Sequence, residues 1–339
     1  MRRAFVTGTA GFIGYHLAEA LLAEGWQVAG YDGVTDYYDV ALKRARLARL
    51  ARHDGFVQTE AMLEDAAALN AALTAAAPDV VVHLAAQAGV RYSIENPRAY
   101  LDSNVTGTFN VLEAASNAEV RHLLIASTSS VYGANTEMPF SELHKADTPL
   151  TIYAATKKAG EAVAHAWAHL NGLPTTMFRF FTVYGSWGRP DMAPMKFASA
   201  ILEGRPIDLY NGGEMWRDFT HVADLVRAVR LLVDAVPGQG GPVEGDSLSP
   251  VAPFRIVNIG NSRKVRLLDF VAAMERHLGR MALRNPMPMQ PGDVPATWAD
   301  AGLLERLTGF RPATDLDSGV AEFVAWMRDW HADHGSRTG

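Results

Sequence analysis

Short apolar runs recur along the first half of the chain, separated by Ala/Leu-rich stretches. Those at residues 4–7, 27–31, 56–59, 80–84, 123–127 and 176–180 have the length and composition of strands. Between them, apolar positions fall at helical spacing, as at Phe12, Ile13, Leu17 and Leu21. Val80-Val81-Val82 and Leu123-Leu124-Ile125 are continuous and do not alternate. Strands buried on both faces read this way, which predicts a parallel sheet with helices on either side. Right-handed crossovers then give an α/β, doubly wound architecture.

The alternation stops after about Arg179. Residues 186–205 are rich in Pro, Gly, Met and Arg, and residues 281–315 in Pro, Gly and Asp. A predicted helix over 224–236 and a strand over 255–259 interrupt this irregular stretch. The pattern divides the chain into a sheet domain over 1–180 plus about 216–260 and a smaller lobe over about 181–215 plus 261–330. Residues 331–339, with His331 and His334, are expected to form a flexible tail. Residues 237–253 hold too few apolar side chains to pack and predict an exposed, mobile loop.

Composition narrows the function classes. A chain of 339 residues, 48% apolar and 20% charged, is ordinary globular material for two domains at roughly 150 residues each. The absence of cysteine excludes disulfides, zinc ribbons, iron–sulfur clusters and cysteine nucleophiles. A net charge of −6 without a basic tail speaks against nucleic-acid or anionic-membrane partners. Met1-Arg2-Arg3 and the apolar stretch after it look like a signal peptide only superficially, since Gly8, Gly11 and Gly14 interrupt that stretch. No run reaches the ~18 apolar residues that would span a bilayer. A soluble cytoplasmic protein is expected.

Directly after the first strand, Thr7-Gly8-Thr9-Ala10-Gly11-Phe12-Ile13-Gly14 opens a helix. Glycines permit the tight turn and close backbone approach that a pyrophosphate at a helix N-terminus requires. Asp32 closes the second strand 18 residues beyond Gly14 and is placed to accept the adenosine ribose hydroxyls. A carboxylate there, followed by Gly33 and not by arginine, selects NAD over NADP. The sheet domain is therefore expected to be of the Rossmann type. Tyr153 and Lys157 stand four residues apart on one face of a predicted helix that begins after Pro149 and stops at Asn171-Gly172. Thr128 lies at the carboxyl end of the fifth strand, where open α/β sheets bind ligands.

Together these residues resemble the extended short-chain dehydrogenase/reductase family over nearly the whole chain. The stretches that carry the resemblance are TGTAGFIG, HLAAQAGVRYS, SNVTGTFNVLEAA, SSVYG, YAATK, RFFTVYGSWGRPDM and RDFTHVADL. YDGVTDYYDVALKRARL, AGVRYSIENPRAY and GRPDMAPMKFASAILEGRPIDLYN are similar to its UDP-glucuronate 4-epimerase branch. The resemblance implies an isomerase that makes UDP-galacturonate through a transient 4-keto sugar, with NAD tightly held and regenerated each turnover. It makes Tyr153 the general base at the 4-hydroxyl, with Lys157⁺ and the nicotinamide ring favouring the phenolate and Thr128 bonded to the same oxygen.

The resemblance also implies cofactor contacts at Gly8, Gly11, Phe12, Ile13, Gly14 and Asp32. Further ones follow at Leu84, Ala85, Ala86, Gln87, Asn104, Ser127 and Phe180, besides Tyr153 and Lys157. For the substrate it assigns Ser129, Ser130 and Thr182 to the C6 carboxylate and Arg189 and Arg217 to the diphosphate. Lys196, Phe197 and Tyr210 fall in segments matching the uracil cradle, Asp293 near the ribose, and Arg91 on the nicotinamide side. A homodimer through the Tyr153/Lys157 helix and the helix near 104–115 is implied on the same ground.

Related enzymes divert the 4-keto intermediate to dehydration or decarboxylation with carboxylates just after the strand-5 threonine. Thr128-Ser129-Ser130 offers only hydroxyls, which stay protonated near neutral pH. A neutral UDP-hexose 4-epimerase stays open as an alternative, then a decarboxylase or dehydratase, and a non-catalytic NAD-binding regulator. Two departures from the branch concern the adenine end: Gly33 stands for an asparagine, and Glu60-Ala61-Met62-Leu63-Glu64 lacks the usual Asp-Leu or Asp-Ile pair. His165 and His169 continue the Tyr153 stripe at intervals of four, but that stripe drifts about 40° per step. No metal site is expected; the two histidines are placed on a solvent or subunit face.

Overall fold

The structure, a computed structural model, describes residues 1–290 and 292–334. The chain begins β1 (Arg3–Thr7), α1 (Phe12–Ala23), β2 (Gln27–Asp32), α2 (Val40–Leu50), β3 (Phe56–Glu60), α3 (Ala66–Ala76) and β4 (Val80–His83). Two short helices, α4 (Tyr92–Glu95) and α5 (Pro97–Leu101), lead through a π-helical turn (Asp102–Gly107) into α6 (Thr108–Asn117). Then come β5 (His122–Thr128), α7 (Ile152–Asn171), β6 (Thr175–Phe180), β7 (Thr182–Tyr184), α8 (Ala193–Glu203) and β8 (Pro206–Tyr210). Next are β9 (Trp216–Arg217), β10 (Phe219–His221), α9 (Val222–Leu232), β11 (Phe254–Ile259), β12 (Val265–Arg266) and α10 (Leu267–Leu278). The chain closes with β13 (Leu283–Met287), β14 (Ala296–Thr297), α11 (Gly302–Thr308) and α12 (Leu316–His334).

Seven strands form one sheet in the order β11-β6-β5-β4-β1-β2-β3, every pair parallel. The continuous apolar runs are its centre, where β4 and β5 are buried at every position. β3 is one of its two edges, and its Val57 is exposed. One face packs on α1 and α9 through Leu17, Leu21, Leu225 and Val229, the other on α3, α6 and α7 through Leu69, Val111 and Ala164. Strand order reverses between β1 and β4, which opens a cleft at the carboxyl ends of the strands. A second core, with Phe270, Met274 and Phe323, joins α8, α10 and α12 in the smaller lobe. Tyr132, Phe140, Phe181 and Ala299 form the seam between the two.

Two expectations are corrected. The polar end is not a tail at His331 and His334: α12 runs through both, and the His334 ring stacks on Trp330 at 3.7 Å. Residues 335–339 lie outside the described residues. The 237–253 segment has no helix or strand, yet polar side chains tie it down where apolar ones are lacking. Asp246 forms a buried ion pair with Arg255 at 2.8 Å. His165 Nε2 lies 2.9 Å from Ser249 Oγ, and His169 Nδ1 donates to the Val251 carbonyl at 2.7 Å. Those two histidines therefore anchor a loop of their own chain.

Candidate active site

The turn after β1 is compressed to a degree that only glycine allows. Gly8 has φ +84°, and a Cβ on it would stand 2.8 Å from the Ala85 amide nitrogen. A Cβ on Gly14 would stand 2.0 Å from the Gly8 carbonyl oxygen. The N-cap of α1 is Gly11, with no side chain to cap the helix, so the amides of Phe12 and Ile13 at its first turn remain available to an anion. Asp32, at the end of β2, accepts from the Ala10 amide at 3.0 Å and the Val34 amide at 2.8 Å. Burial raises its pKa, and those amides and Lys43 oppose that.

Across the cleft, Thr7 Oγ1 accepts from the Leu84 and Ala85 amides at 3.1 Å each. Asn104, in the π-helical turn, clamps the same segment: it accepts from Gln87 N and donates to Gln87 O, both at 2.9 Å, and donates to Thr156 Oγ1 at 3.1 Å. Amides, a glycine cradle and a carboxylate at the end of β2 fit a nicotinamide dinucleotide without a 2′-phosphate. At its adenine end the two departures explain each other, since a Cβ on residue 33 would meet Met62 Sδ at 2.4 Å. The methionine occupies the space that Gly33 leaves.

Thr151 caps α7 by accepting from the Ala154 amide, and Gly172 ends it in the left-handed region at φ +68°. That helix brings Tyr153 and Lys157 beneath the end of β5, where Thr128 pairs in register with Phe180 of β6. Burial raises the Tyr153 pKa; a hydrogen bond with Thr128 and the positive charge of Arg189 lower it. Lys157 Nζ donates to the Ala126 carbonyl at 3.0 Å. Burial pulls its pKa down to about 8 against the opposing charge of Glu161. The hydroxyl of Ser127, a residue expected at the cofactor, donates to Glu161 Oε1 at 2.7 Å. Arg179 holds the same carboxylate through two bonds at 2.9 and 2.7 Å, a buried pair beneath the site.

Ser129 and Ser130 follow Thr128 in a short 3₁₀ turn, both half-buried, and the Thr182 amide donates to Asp218 O at 3.0 Å. Arg189 Nε donates to Asp191 Oδ1 at 3.0 Å, and Tyr37 OH donates to Asp191 Oδ2 at 3.1 Å. Farther out, the Arg91 guanidinium lies 3.8 Å over the Tyr210 ring and 3.4 Å from Asp293 Oδ2. Burial lowers the Arg217 pKa, and the Asp293 charge opposes it. Arg91, Tyr210, Arg217 and Asp293 thus converge from four segments. Lys196 is exposed on α8, while the Phe197 side chain packs in the core of the smaller lobe, which leaves the segment's backbone for the expected uracil contact. Sequence reading missed Tyr37, Asp191 and Asp218, although all three lie inside stretches that carried the resemblance. Asp218 is buried and accepts from Asn261 N, Ser262 N, Ala299 N and Thr220 Oγ1, which fixes the strand that bears Arg217.

Comparisons with known proteins agree with this geometry. A probable UDP-glucuronate 4-epimerase of Rhizobium meliloti is 54% identical over 328 residues, 96% of each chain. The crystal structure of UDP-glucuronic acid 4-epimerase from Bacillus cereus, with UDP-glucuronic acid and NAD, superposes with a TM-score of 0.86 at 29% identity, covering 97% of this chain and 99% of that one. A dTDP-glucose 4,6-dehydratase from Streptomyces venezuelae, with NAD bound, superposes almost as well, at a TM-score of 0.85 and 27% identity over 97% and 98% of the two chains. The fold alone therefore does not separate the two chemistries. The model of the NAD dependent epimerase/dehydratase family matches residues 4–244, and the chain belongs to that family.

Proposed function

We propose that this chain catalyses the NAD-dependent 4-epimerisation of UDP-glucuronate to UDP-galacturonate. The observation that carries the reading is the hydroxyl row Thr128-Ser129-Ser130, with no carboxylate in it, at the end of β5 beside Tyr153. Bound NAD supplies a hydride acceptor and donor. Tyr153 Oη takes the proton of the sugar 4-hydroxyl as that carbon is oxidised, and returns it after the 4-keto sugar has turned over in the cleft. Burial favours the protonated phenol, and the Thr128 hydroxyl and the Arg189 charge oppose it. Lys157, one helical turn on, is assigned to favour the phenolate as well.

Ser129, Ser130 and Thr182 are assigned hydrogen bonds to the C6 carboxylate. Hydroxyls cannot perform the proton transfers of a dehydratase. Held in the sugar plane, the carboxylate keeps its bond to C5 out of line with the 4-carbonyl π system, which retards loss of CO₂. Residues 1–180 plus about 216–260 are assigned to the cofactor, and about 181–215 plus 261–330 to the nucleotide sugar. The reading includes a homodimer through α6 and α7, whose outer surface leaves Phe109 and Ile152 exposed, and a cytoplasmic location. Among the described residues no helix is long and apolar enough to cross a membrane.

Proton NMR of the purified protein with UDP-glucuronate, without added cofactor, tests the reaction and the retention of NAD together. Signals of UDP-galacturonate are expected. A 4-keto pentose product, or turnover of UDP-glucose in preference, would overturn the assignment of the hydroxyl row.

A further inference from the structure

One stretch that marks the branch, residues 31–47, enters the site described above through Asp32 and Tyr37. Its helix, α2, turns Leu42, Lys43, Arg46, Leu47 and Leu50 inward, so two cations sit on a buried face. Lys43 is satisfied locally, donating to Thr35 O at 2.6 Å. Arg46 is not local. It is 0% exposed, and its guanidinium reaches two turns far apart in sequence. One nitrogen donates to Ala10 O at 2.7 Å and Tyr38 OH at 2.9 Å; the other donates to Trp187 O at 2.7 Å and Gly188 O at 3.0 Å.

All four acceptors are neutral oxygens, an unusual setting for a buried cation. Ala10 belongs to the glycine turn that presents its amides to the cofactor, and Trp187 and Gly188 directly precede Arg189. Trp187 has φ +58°, in the left-handed region that a bulky residue rarely enters. Arg46 on its carbonyl, and Tyr15 and Trp330 on its ring, hold it there. Tyr37 grips Asp191 from the other side. Residues 187–191 are thus held at both ends by a single motif.

We propose that Arg46 is a positioning residue for the nucleotide-sugar site. It ties the dinucleotide turn to the turn that carries Arg189, so that an anion bound in one strengthens the binding of an anion in the other. Its charge lies behind both turns, and its planar fork bridges them in a way that a lysine ammonium cannot. The coupling is reciprocal, as any linkage between two sites must be. The proposal rests on reading Arg189 as a ligand of the sugar nucleotide's diphosphate.

The test compares NAD-loaded wild type with Arg46→Lys, Tyr38→Phe and Arg189→Ala. It measures the Kd of UDP by calorimetry, KM and kcat with UDP-glucuronate, and amide hydrogen exchange at residues 186–191. Arg46→Lys should keep its NAD, weaken UDP and raise KM roughly tenfold with kcat nearly unchanged, and lose exchange protection at 186–191. Tyr38→Phe, which removes one acceptor and little packing, should move the same quantities in the same direction by less, and it serves if the lysine variant does not fold. UDP affinity and exchange unchanged in the folded variants, with Arg189→Ala weakened, would overturn the coupling. UDP affinity unchanged in Arg189→Ala would instead overturn the reading of Arg189 on which it rests.

Discussion

On the function proposed above, the two ends of the cleft would bind anions by different means. At the cofactor end the main chain does the work: amides at the start of α1, a turn closed by Gly8, Gly11 and Gly14, and one carboxylate, Asp32. At the nucleotide-sugar end long side chains do it, with Arg91, Tyr210, Arg217 and Asp293 meeting from four segments. Two of its cations are held in internal pairs, Arg189 with Asp191 and Arg91 with Asp293. A backbone site is fixed once the chain folds and fails when a Cβ intrudes. A side-chain site tolerates a Cβ but depends on each charge, and its pairs must open or rearrange to take a ligand.

Tyr153→Phe breaks the joint between the two ends and should have the largest effect. Turnover is expected to fall by about 10²–10⁴-fold. The absorbance of bound NAD should be unchanged, since the ring remains and only the proton carrier is lost. Near-normal turnover in this variant would remove Tyr153 from the mechanism. Gly14→Ala follows, because its Cβ would stand 2.0 Å from the Gly8 carbonyl oxygen and the turn must shift. A displacement of ~1 Å in such a site costs on the order of 10²-fold. The loss should appear as NAD released on gel filtration, with UDP still bound by the variant. Arg91→Ala should do the reverse, raising KM for UDP-glucuronate roughly tenfold while NAD content holds. If each variant impaired both ligands equally, the division into a backbone end and a side-chain end would be wrong.

The same division explains what the sequence could tell. The glycine turn, Asp32 and the Tyr153/Lys157 spacing are contiguous or fixed by one helix, so their geometry follows from local rules. The sheet was legible for a related reason: strands buried on both faces leave continuous apolar runs, and their expected bounds lie within about two residues of those observed. What stayed hidden depends on distant segments meeting. Arg91 reaches Asp293 across 202 residues, and Arg46 reaches Gly188 across 142. No local pattern encodes either meeting. Polar anchoring also escaped hydropathy, which is why residues 237–253 read as loose although Arg255 and His165 hold them. The resemblance places Ser127 at the cofactor, and only the buried Glu161 beside it shows where its hydroxyl bonds.

The smallest effect lies at the seam and asks whether the two ends melt as one body. Phe140 N donates to Trp298 O and Asp300 N to Phe140 O, both at 2.9 Å, so the segment after β5 is stitched to the chain that approaches α11. Two residues on, Glu142 is buried, with its Oε1 accepting from the Asn258 amide at 2.7 Å. Burial pushes its carboxyl up to about 7, with the Asn258 bond pulling down and the Asp300 charge pushing further up. A carboxyl whose folded pKa lies above its unfolded value of about 4.3 favours the fold fully below that value. It surrenders the advantage as pH climbs through 7, because the charged form is the one that burial penalises. Stability should therefore decline between pH 5 and 8 by roughly 1–3 kcal/mol on this account. Glu142→Gln keeps a carbonyl acceptor for Asn258 and has no proton to lose, so its Tm should hold a few degrees better across that interval. Calorimetry of both proteins at pH 5, 6, 7 and 8 checks it, and parallel curves would show that another group titrates. A single transition that moves as a whole means the seam joins both ends into one cooperative unit. A shoulder that moves alone means the backbone site and the side-chain site fold apart, and the contrast between them extends to stability.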